Sequence, residues 1–264
     1  MQKVRPKKAL GQHFLTDMSI AERIASTLDG YRGTPVLEVG PGMGVLTQFL
    51  IDAGHTVKVA EIDGESIEWL KANFPGLPQE NILNCDFLKL DLSGVFSGAD
   101  KICVIGNYPY NISSQIFFHV LESRDLVICC SGMLQREVAE RIAAPAGTKA
   151  RGILSVLLQA WYDVEYLFTV SEHVFNPPPK VKSGVIRLTR NAVTELGCDE
   201  KLFRTVVKTS FGQRRKTIRN SVRGLLPAGA GVPDSPLMGL RPEQLSVEQF
   251  IELTNLISSY RNQA

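Results

Sequence analysis

From Val36 to about Arg190, short apolar runs alternate with longer amphipathic ones, and few folds accept that pattern. The runs Pro35–Val39, Val57–Ile62, Ile82–Cys85, Ile102–Ile105, Leu126–Cys130, Glu165–Val170 and Gly184–Leu188 have the length and β-branched content of strands. Helix-length segments separate most of them: Leu46–Ala53, Glu65–Asn73, Ser113–Glu122, Gln135–Ala143 and Ile153–Tyr162. Strands that alternate with helices form a parallel sheet covered on both faces, because each crossover must pass over one face. The class is therefore α/β. Only FNPPPKVKS joins the last two strands, too little for a crossover helix, so one of them is expected to run antiparallel at the sheet edge. After Arg190 the strand signal stops. Helices are expected at Asp199–Phe211, Arg214–Leu226 and Val247–Tyr260, interrupted by the Gly/Pro-rich LLPAGAGVPDSP. This divides the chain into a domain over 1–190 and a small all-helical domain over 195–264.

A length of 264 residues suits one or two domains whose core needs no covalent staple. With 44% hydrophobic and 21% charged residues and no biased tract, intrinsic disorder is excluded. No run approaches the roughly 18 apolar residues of a membrane span. Met1 leads into Lys3, Arg5, Lys7 and Lys8 with no apolar stretch behind them, so a soluble cytoplasmic chain is expected. Cys85, Cys103, Cys129, Cys130 and Cys198 form no CxxC pair and lie at no metal-ligand spacing from a histidine. They are read as reduced thiols, with no metal.

The net charge of +2 conceals a strong asymmetry. Residues 1–16 hold four Lys/Arg and residues 201–233 hold eight, with no acid in either stretch, so the remainder of the chain carries −10. A solvated helix face is the plain reading of such runs. In FGQRRKTIRNSVRGL, however, Arg215, Arg219 and Arg223 recur every four residues and would line one helix face, which suits a polyanion.

The first predicted strand runs into LEVGPGMGVL, where Gly40, Gly42 and Gly44 stand between strand and helix. Glycines there let backbone N–H groups and the helix N-terminus approach a ligand closely. Glu61, with Ile62 beside it, follows at the end of the next strand, where a carboxylate can accept from ribose hydroxyls. The nicotinamide fingerprint wants its third glycine at the position of Val45, so the match favours S-adenosyl-L-methionine. Glu38 within the motif, and Asp86 and Phe87 in NCDFLKLD, complete the candidate cofactor set; Asp86 would meet the adenine amine and Phe87 its ring.

The fourth strand ends in IGNYPYNISS, which places Asn107, Pro109 and Tyr110 at the carboxyl edge of the sheet. An exocyclic adenine amine is a poor nucleophile because its lone pair is delocalised into the ring. Two acceptors, the Asn107 side-chain oxygen and a backbone carbonyl fixed by Pro109, would bind both amine hydrogens and favour the pyramidal, nucleophilic nitrogen. Tyr110 would stack on the base, and the same dipoles would stabilise positive charge on nitrogen. A proline-stiffened turn after a strand is the plain reading.

With these motifs in chain order, the sequence resembles the KsgA family of small-subunit rRNA adenine dimethyltransferases over nearly its whole length. The likeness rests on KKALGQHFLTD, LEVGPGMG, NYPYNIS, VFNPPPKVKSGVIRL and FGQRRKTIRNS. It implies a class I Rossmann-like methyltransferase domain followed by a helical domain. The implied activity is N6,N6-dimethylation of two adjacent adenosines in the 3′-terminal loop of 16S rRNA within the immature small subunit, by a monomer that converts S-adenosylmethionine to S-adenosylhomocysteine. Gln12, His13, Phe14 and Leu15 match the segment that closes over the cofactor, Asn107 also touches it, and Phe175 matches the aromatic that sandwiches the base opposite Tyr110. Lys180, Arg214, Arg215, Lys216, Arg219 and Arg223 are the RNA-binding candidates.

Departures from the family pattern are His13 where Asn is frequent, Tyr108 where Leu or Ile is usual, with bulk that would alter cofactor access, and Lys182 where Asp is common. Rival readings are a 23S rRNA adenine methyltransferase, a DNA adenine methyltransferase, and an assembly factor that acts by binding alone.

Overall fold

The computed structural model describes residues 4–7, 10–229 and 231–262. Lys3, Lys8 and Ala9 of the N-terminal basic motif, and Ala230 of the Gly/Pro-rich break, lie outside the described residues. The chain divides into two compact units, one of residues 1–139 and 163–190, the other of 140–162 and 191–264.

The first unit is built on a seven-stranded sheet. Its strands are β2 (Val36–Val39), β3 (Val57–Glu61), β4 (Ile82–Asn84), β5 (Ile102–Asn107), β6 (Val127–Gln135), β7 (Tyr162–Val170) and β9 (Ser183–Arg190), in the order β4-β3-β2-β5-β6-β9-β7. A separate two-residue pairing joins β1 (Phe14–Leu15) to β8 (Phe175–Asn176). Neighbours from β4 to β6 pair in parallel. All four residues of β2 are buried, as a parallel strand covered on both faces requires. Helices α1 (Met18–Ala25), α2 (Val45–Asp52), α3 (Gly64–Asn73) and α4 (Ser113–Glu122) turn apolar faces inward, with Ile24, Leu50, Leu70 and Phe117 fully enclosed. Asp17 caps α1 by accepting from the amides of Ser19 (3.0 Å) and Ile20 (3.3 Å). Sequence periodicity does not single out this helix.

One expectation is corrected. The antiparallel strand is β9, and it pairs with β6 from Cys129↔Thr189 to Gln135↔Ser183, inside the sheet. The edge belongs to β7, whose half-exposed residues suit an outer strand.

Because β2 lies between β3 and β5, connections leave it in opposite directions along the sheet. This switch point opens a crevice beyond the carboxyl ends of β2 and β5, at Gly40 and Asn107.

The chain passes from the first unit to the second within α5 (Arg136–Ala143). In the second unit, α6 (Ile153–Gln159) packs with α7 (Glu200–Gly212) and α7 with α9 (Val247–Asn262). Buried Phe203, Val206 and Val207 of α7 and Phe250, Leu253 and Ile257 of α9 follow helical spacing, and the Phe211 and Phe250 rings stack 6.0 Å apart. The linear division at residue 190 thus differs from the packing by residues 140–162, because α6 buries Leu154, Val156, Leu157 and Leu158 in this unit. That helix ends at Gln159, and Tyr162 opens β7 instead of closing the helix.

The single helix expected over Arg214–Leu226 is absent. A turn over 213–217 leads to α8 (Ile218–Ser221) and a 3-10 segment, Arg223–Leu225. A continuous helix would direct the Ile218 N–H to the carbonyl of Arg214; here it donates to Leu240 at 2.8 Å. Arg215, Arg219 and Arg223 therefore share no helix face.

Candidate active site

At the switch point a cavity of about 250 Å³ is lined by Gln12, His13, Phe14, Leu15, Glu38, Gly40, Gly42, Glu61, Ile62, Asp86, Phe87, Asn107, Pro109 and Tyr110, among others. Candidates that lie up to 98 positions apart in the chain thus meet on one surface. Gly44 and Phe175 are not among the lining residues.

Gly40 (φ 65°), Gly42 (φ 56°) and Gly44 (φ 77°) all adopt left-handed backbone, which a side chain resists. Their neighbours differ. A Cβ on Gly42 would stand 2.8 Å from the Phe14 ring, so this glycine lets the N-terminal segment close onto the loop. On Gly44 it would stand 2.3 Å from Phe74 and 2.9 Å from Leu70, so this glycine serves the packing of the α2 start against α3.

Glu38 is 1% exposed and accepts from the Thr47 hydroxyl at 2.6 Å. Burial pushes its carboxyl up to about 8, against that hydrogen bond, and the Glu61 charge adds to the rise. Burial also raises Glu61, opposed by backbone donors. Its Oε1 accepts from the amides of Ile62 and Asp63, both at 2.9 Å, and its Oε2 from the amide of Gly42 at 3.1 Å. Each carboxylate oxygen offers two lone pairs. One acceptor position, on Oε2, remains for a ligand hydroxyl, which is less than the grip on both ribose hydroxyls expected from the sequence. Ile62 is 55% exposed beside this acid and offers an apolar surface to a flat ring. Asp86 accepts from the Leu88 amide at 3.0 Å, and the Phe87 ring meets His119 edge-on at 5.2 Å. A glycine turn, an acid at the next strand end and apolar side chains around the cavity fit an adenosyl cofactor.

On the NYPY loop, the Asn107 Nδ2 donates to the His13 carbonyl at 3.0 Å. That bond orients the amide and leaves Oδ1 as its acceptor. Tyr110 is held at two points: its hydroxyl lies 2.6 Å from Ser183 Oγ, and its ring stacks on His13 with centroids 5.6 Å apart and planes 30° apart. Tyr108 does not crowd the loop, contrary to what its bulk suggests. Its ring is 1% exposed, its hydroxyl donates to the Ser131 carbonyl at 2.7 Å, and it lies over Gly106 and Gly132. Phe175 also departs from expectation. It is 4% exposed, paired with Leu15 across β1 and β8, and packed in the core, where the resemblance calls for a face open to the base.

Lys7, the first residue of KKALGQHFLTD, and Asp63, which lies in none of the motifs, tie the N-terminal segment to the site. Asp63, 2% exposed, accepts from Lys7 Nζ, from Gln12 Nε2 at 3.2 Å and from Ser66 Oγ at 3.1 Å. Burial would raise its pKa, but these bonds, that of Lys7 first, hold it below the usual carboxylate value. The Lys7 amide donates to Gln12 Oε1 at 2.8 Å, so the Gln12 side chain is engaged at both ends. Asp63 follows Glu61 by two positions, a signal readable only when a partner for the N-terminal lysines is sought.

Lys180, Arg214, Arg215, Lys216, Arg219 and Arg223 are all exposed. Arg214 donates to the Lys149 carbonyl within the second unit. Among the described residues, no helix is long and apolar enough to cross a membrane, and no group of three or more His, Cys, Asp or Glu is placed to hold a metal.

The family described as ribosomal RNA adenine dimethylase matches residues 3–259. A Parabacteroides distasonis protein named ribosomal RNA small subunit methyltransferase A is 67% identical over 96% of this chain and 94% of its own length. A Porphyromonas gingivalis protein of the same name is 63% identical over 97% and 99%. Among solved structures, a dimethyladenosine transferase from Plasmodium falciparum shares the fold, with a TM-score of 0.75 at 23% identity over 95% of this chain and 98% of that one. The 23S rRNA methyltransferase ErmE aligns with a TM-score of 0.67 at 27% identity over 92% of this chain and 99% of that one.

Proposed function

The chain belongs to the ribosomal RNA adenine dimethylase family, and on that premise we propose that it dimethylates N6 of two adjacent adenosines in the 3′-terminal loop of 16S rRNA, within the immature small subunit. It acts there as a cytoplasmic monomer. The observation that carries the chemistry is the Asn107 amide in the cavity lining, fixed through Nδ2 to the His13 carbonyl so that Oδ1 is left as an acceptor. The names of relatives at 67% and 63% identity support the small-subunit substrate.

When bound, S-adenosylmethionine supplies a methyl group activated by a sulfonium. Gly40, Gly42, Glu38, Glu61, Ile62, Asp86 and Phe87 would hold it, with residues 12–15 as the covering wall. Asn107 Oδ1 and the Tyr108 carbonyl, fixed by Pro109, accept the two amine hydrogens and aim the nitrogen lone pair at the methyl carbon. That nitrogen would then take the methyl from the bound sulfonium, and the amine proton would pass to water. A second transfer to the same nitrogen needs one acceptor fewer, because one hydrogen has been replaced by methyl. Tyr110, clamped by His13 and Ser183, supplies the stacking face for the base. Exposed Lys180, Arg214, Arg215, Lys216, Arg219 and Arg223 contact phosphates, which position the RNA without reading its sequence.

The likeness to ErmE favours one other reading, action on 23S rRNA. Mass spectrometry of the 3′ fragment of 16S rRNA and of 23S rRNA, from cells with and without the chain, tests both. Dimethyladenosine that depends on the chain in 16S rRNA supports the proposal; its appearance only in 23S rRNA refutes it.

A further inference from the structure

Placing two methyl groups on one nitrogen requires spent cofactor to leave and fresh cofactor to enter between transfers, a requirement that rests on the dimethylation reading above. Residues 10–15 form one wall of the cavity, so how firmly that wall is held bears on exchange. Several of its ties are neutral: Asn107 Nδ2 to the His13 carbonyl, His13 Nδ1 to the Pro177 carbonyl at 2.8 Å, and Thr16 to the Val174 carbonyl. One further tie is charged. Lys7 Nζ pairs with Asp63, and Glu65 Oε1 lies 3.1 Å away.

Asp63 occupies an unusual junction. On one side its carboxylate takes Lys7 and Gln12; on the other its own N–H donates to Glu61, the acid expected to hold the ribose. The partners of the pair differ in access to water: the Lys7 side chain is 40% exposed and that of Asp63 only 1%. Lysine can therefore swing into solvent and Gln12 can leave with the wall, while Asp63 keeps Ser66 and the Glu65 amide at 3.3 Å. Such a bond can open without dismantling what it closes on.

We propose that the Lys7–Asp63 pair is the latch on cofactor exchange, with Asp63 a positioning residue that joins the N-terminal wall to the ribose acid. Its opening rate then sets how often an adenosine leaves with one methyl and how often it goes on to two.

The test follows release of tritiated S-adenosylhomocysteine from the full chain by rapid filtration, without RNA. Lys7→Met should release it about two- to five-fold faster, the range expected of one accessible ion pair, and Lys7→Arg should restore slow release. Wild-type release should quicken as salt rises from about 0.05 to 0.5 M, whereas Lys7→Met should respond little. At saturating cofactor, single-encounter methylation by Lys7→Met should yield less monomethyl relative to dimethyl adenosine. Asp63→Asn should behave likewise; because Asp63 also caps α3, the decisive comparison is made at the exposed lysine. Wild-type release rate and salt response in Lys7→Met would overturn the latch. A chain that binds cofactor but leaves 16S rRNA unmodified would instead refute the substrate assignment, while the release rates still decide the latch.

Discussion

Replacing Glu38 by glutamine should shift the stability of the ligand-free protein upward relative to the parent as pH rises toward about 8. The carboxyl is 1% exposed, and its pKa stands at about 8 against 4.5 for an ordinary glutamate. Below about pH 4.5 the folded and unfolded chains both hold the proton, and burial brings no ionisation penalty. Between 4.5 and about 8 the unfolded chain has released it and the folded chain retains it, so stability falls as pH rises. At about 1.4 kcal/mol per pH unit, the loss reaches roughly 3 kcal/mol at pH 7 and about 5 kcal/mol from pH 8 upward, where it levels off. Glu38→Gln keeps an acceptor for the Thr47 hydroxyl and removes the ionisation. A new NH₂ left without a partner would add an offset of about 1–3 kcal/mol that does not vary with pH. Urea unfolding of both proteins from about pH 5 to 9 separates the two effects, because only ionisation changes the difference between the curves. Parallel curves would refute the reasoning and mean that the folded protein solvates this carboxylate well.

Asn107→Ala should slow single-turnover methyl transfer by about 10²–10³ while RNA binding remains, since it removes one oriented acceptor; an unchanged rate at saturating RNA and cofactor would remove Asn107 from the chemistry. Replacing Arg215, Arg219 and Arg223 together should flatten the salt dependence of RNA binding by about 0.7–0.9 log units per lost phosphate contact, with cofactor binding spared. Gly132→Ala should destabilise the fold by at least about 3 kcal/mol, because its Cβ would stand 2.2 Å from the Gly106 carbonyl oxygen and 2.7 Å from the Tyr108 ring; chemical unfolding gives the value directly.

Periodicity makes the sheet legible because burial on both faces writes a run such as ICVI as continuous apolar sequence. It carries no information on which strand pairs with which, and so puts the antiparallel one of the last two strands at the edge, whereas β9 lies between β6 and β7. Spacing also suggests a helix through Arg214–Leu226. What breaks it is the Leu240 carbonyl, 22 positions beyond the Ile218 amide that it binds, and no local pattern encodes that partner. The glycines and acids of the cavity are legible because one turn and two strand ends place them. Asp63 and Lys7, 56 positions apart, escape such reading because their relation exists only in the folded chain. Phe175 is assigned by its motif alone, and its burial against Leu15 depends on a two-residue pairing too short to announce itself.

The composition of the second unit, from residues 140–162 and 191–264, bears on how such a protein can be rearranged. The chain changes units after Ala139, Tyr162 and Arg190, so no single cut frees either one. A fragment ending at Arg190 would retain α6 with its apolar side chains stripped of α7, and one beginning at Asn191 would lack the helix that α7 packs against. Exchange of the helical unit between relatives by one recombination crossover would therefore produce mismatched hybrids. Two segments must travel together, which ties the inheritance of the basic helical unit to that of the sheet in whose sequence part of it is embedded.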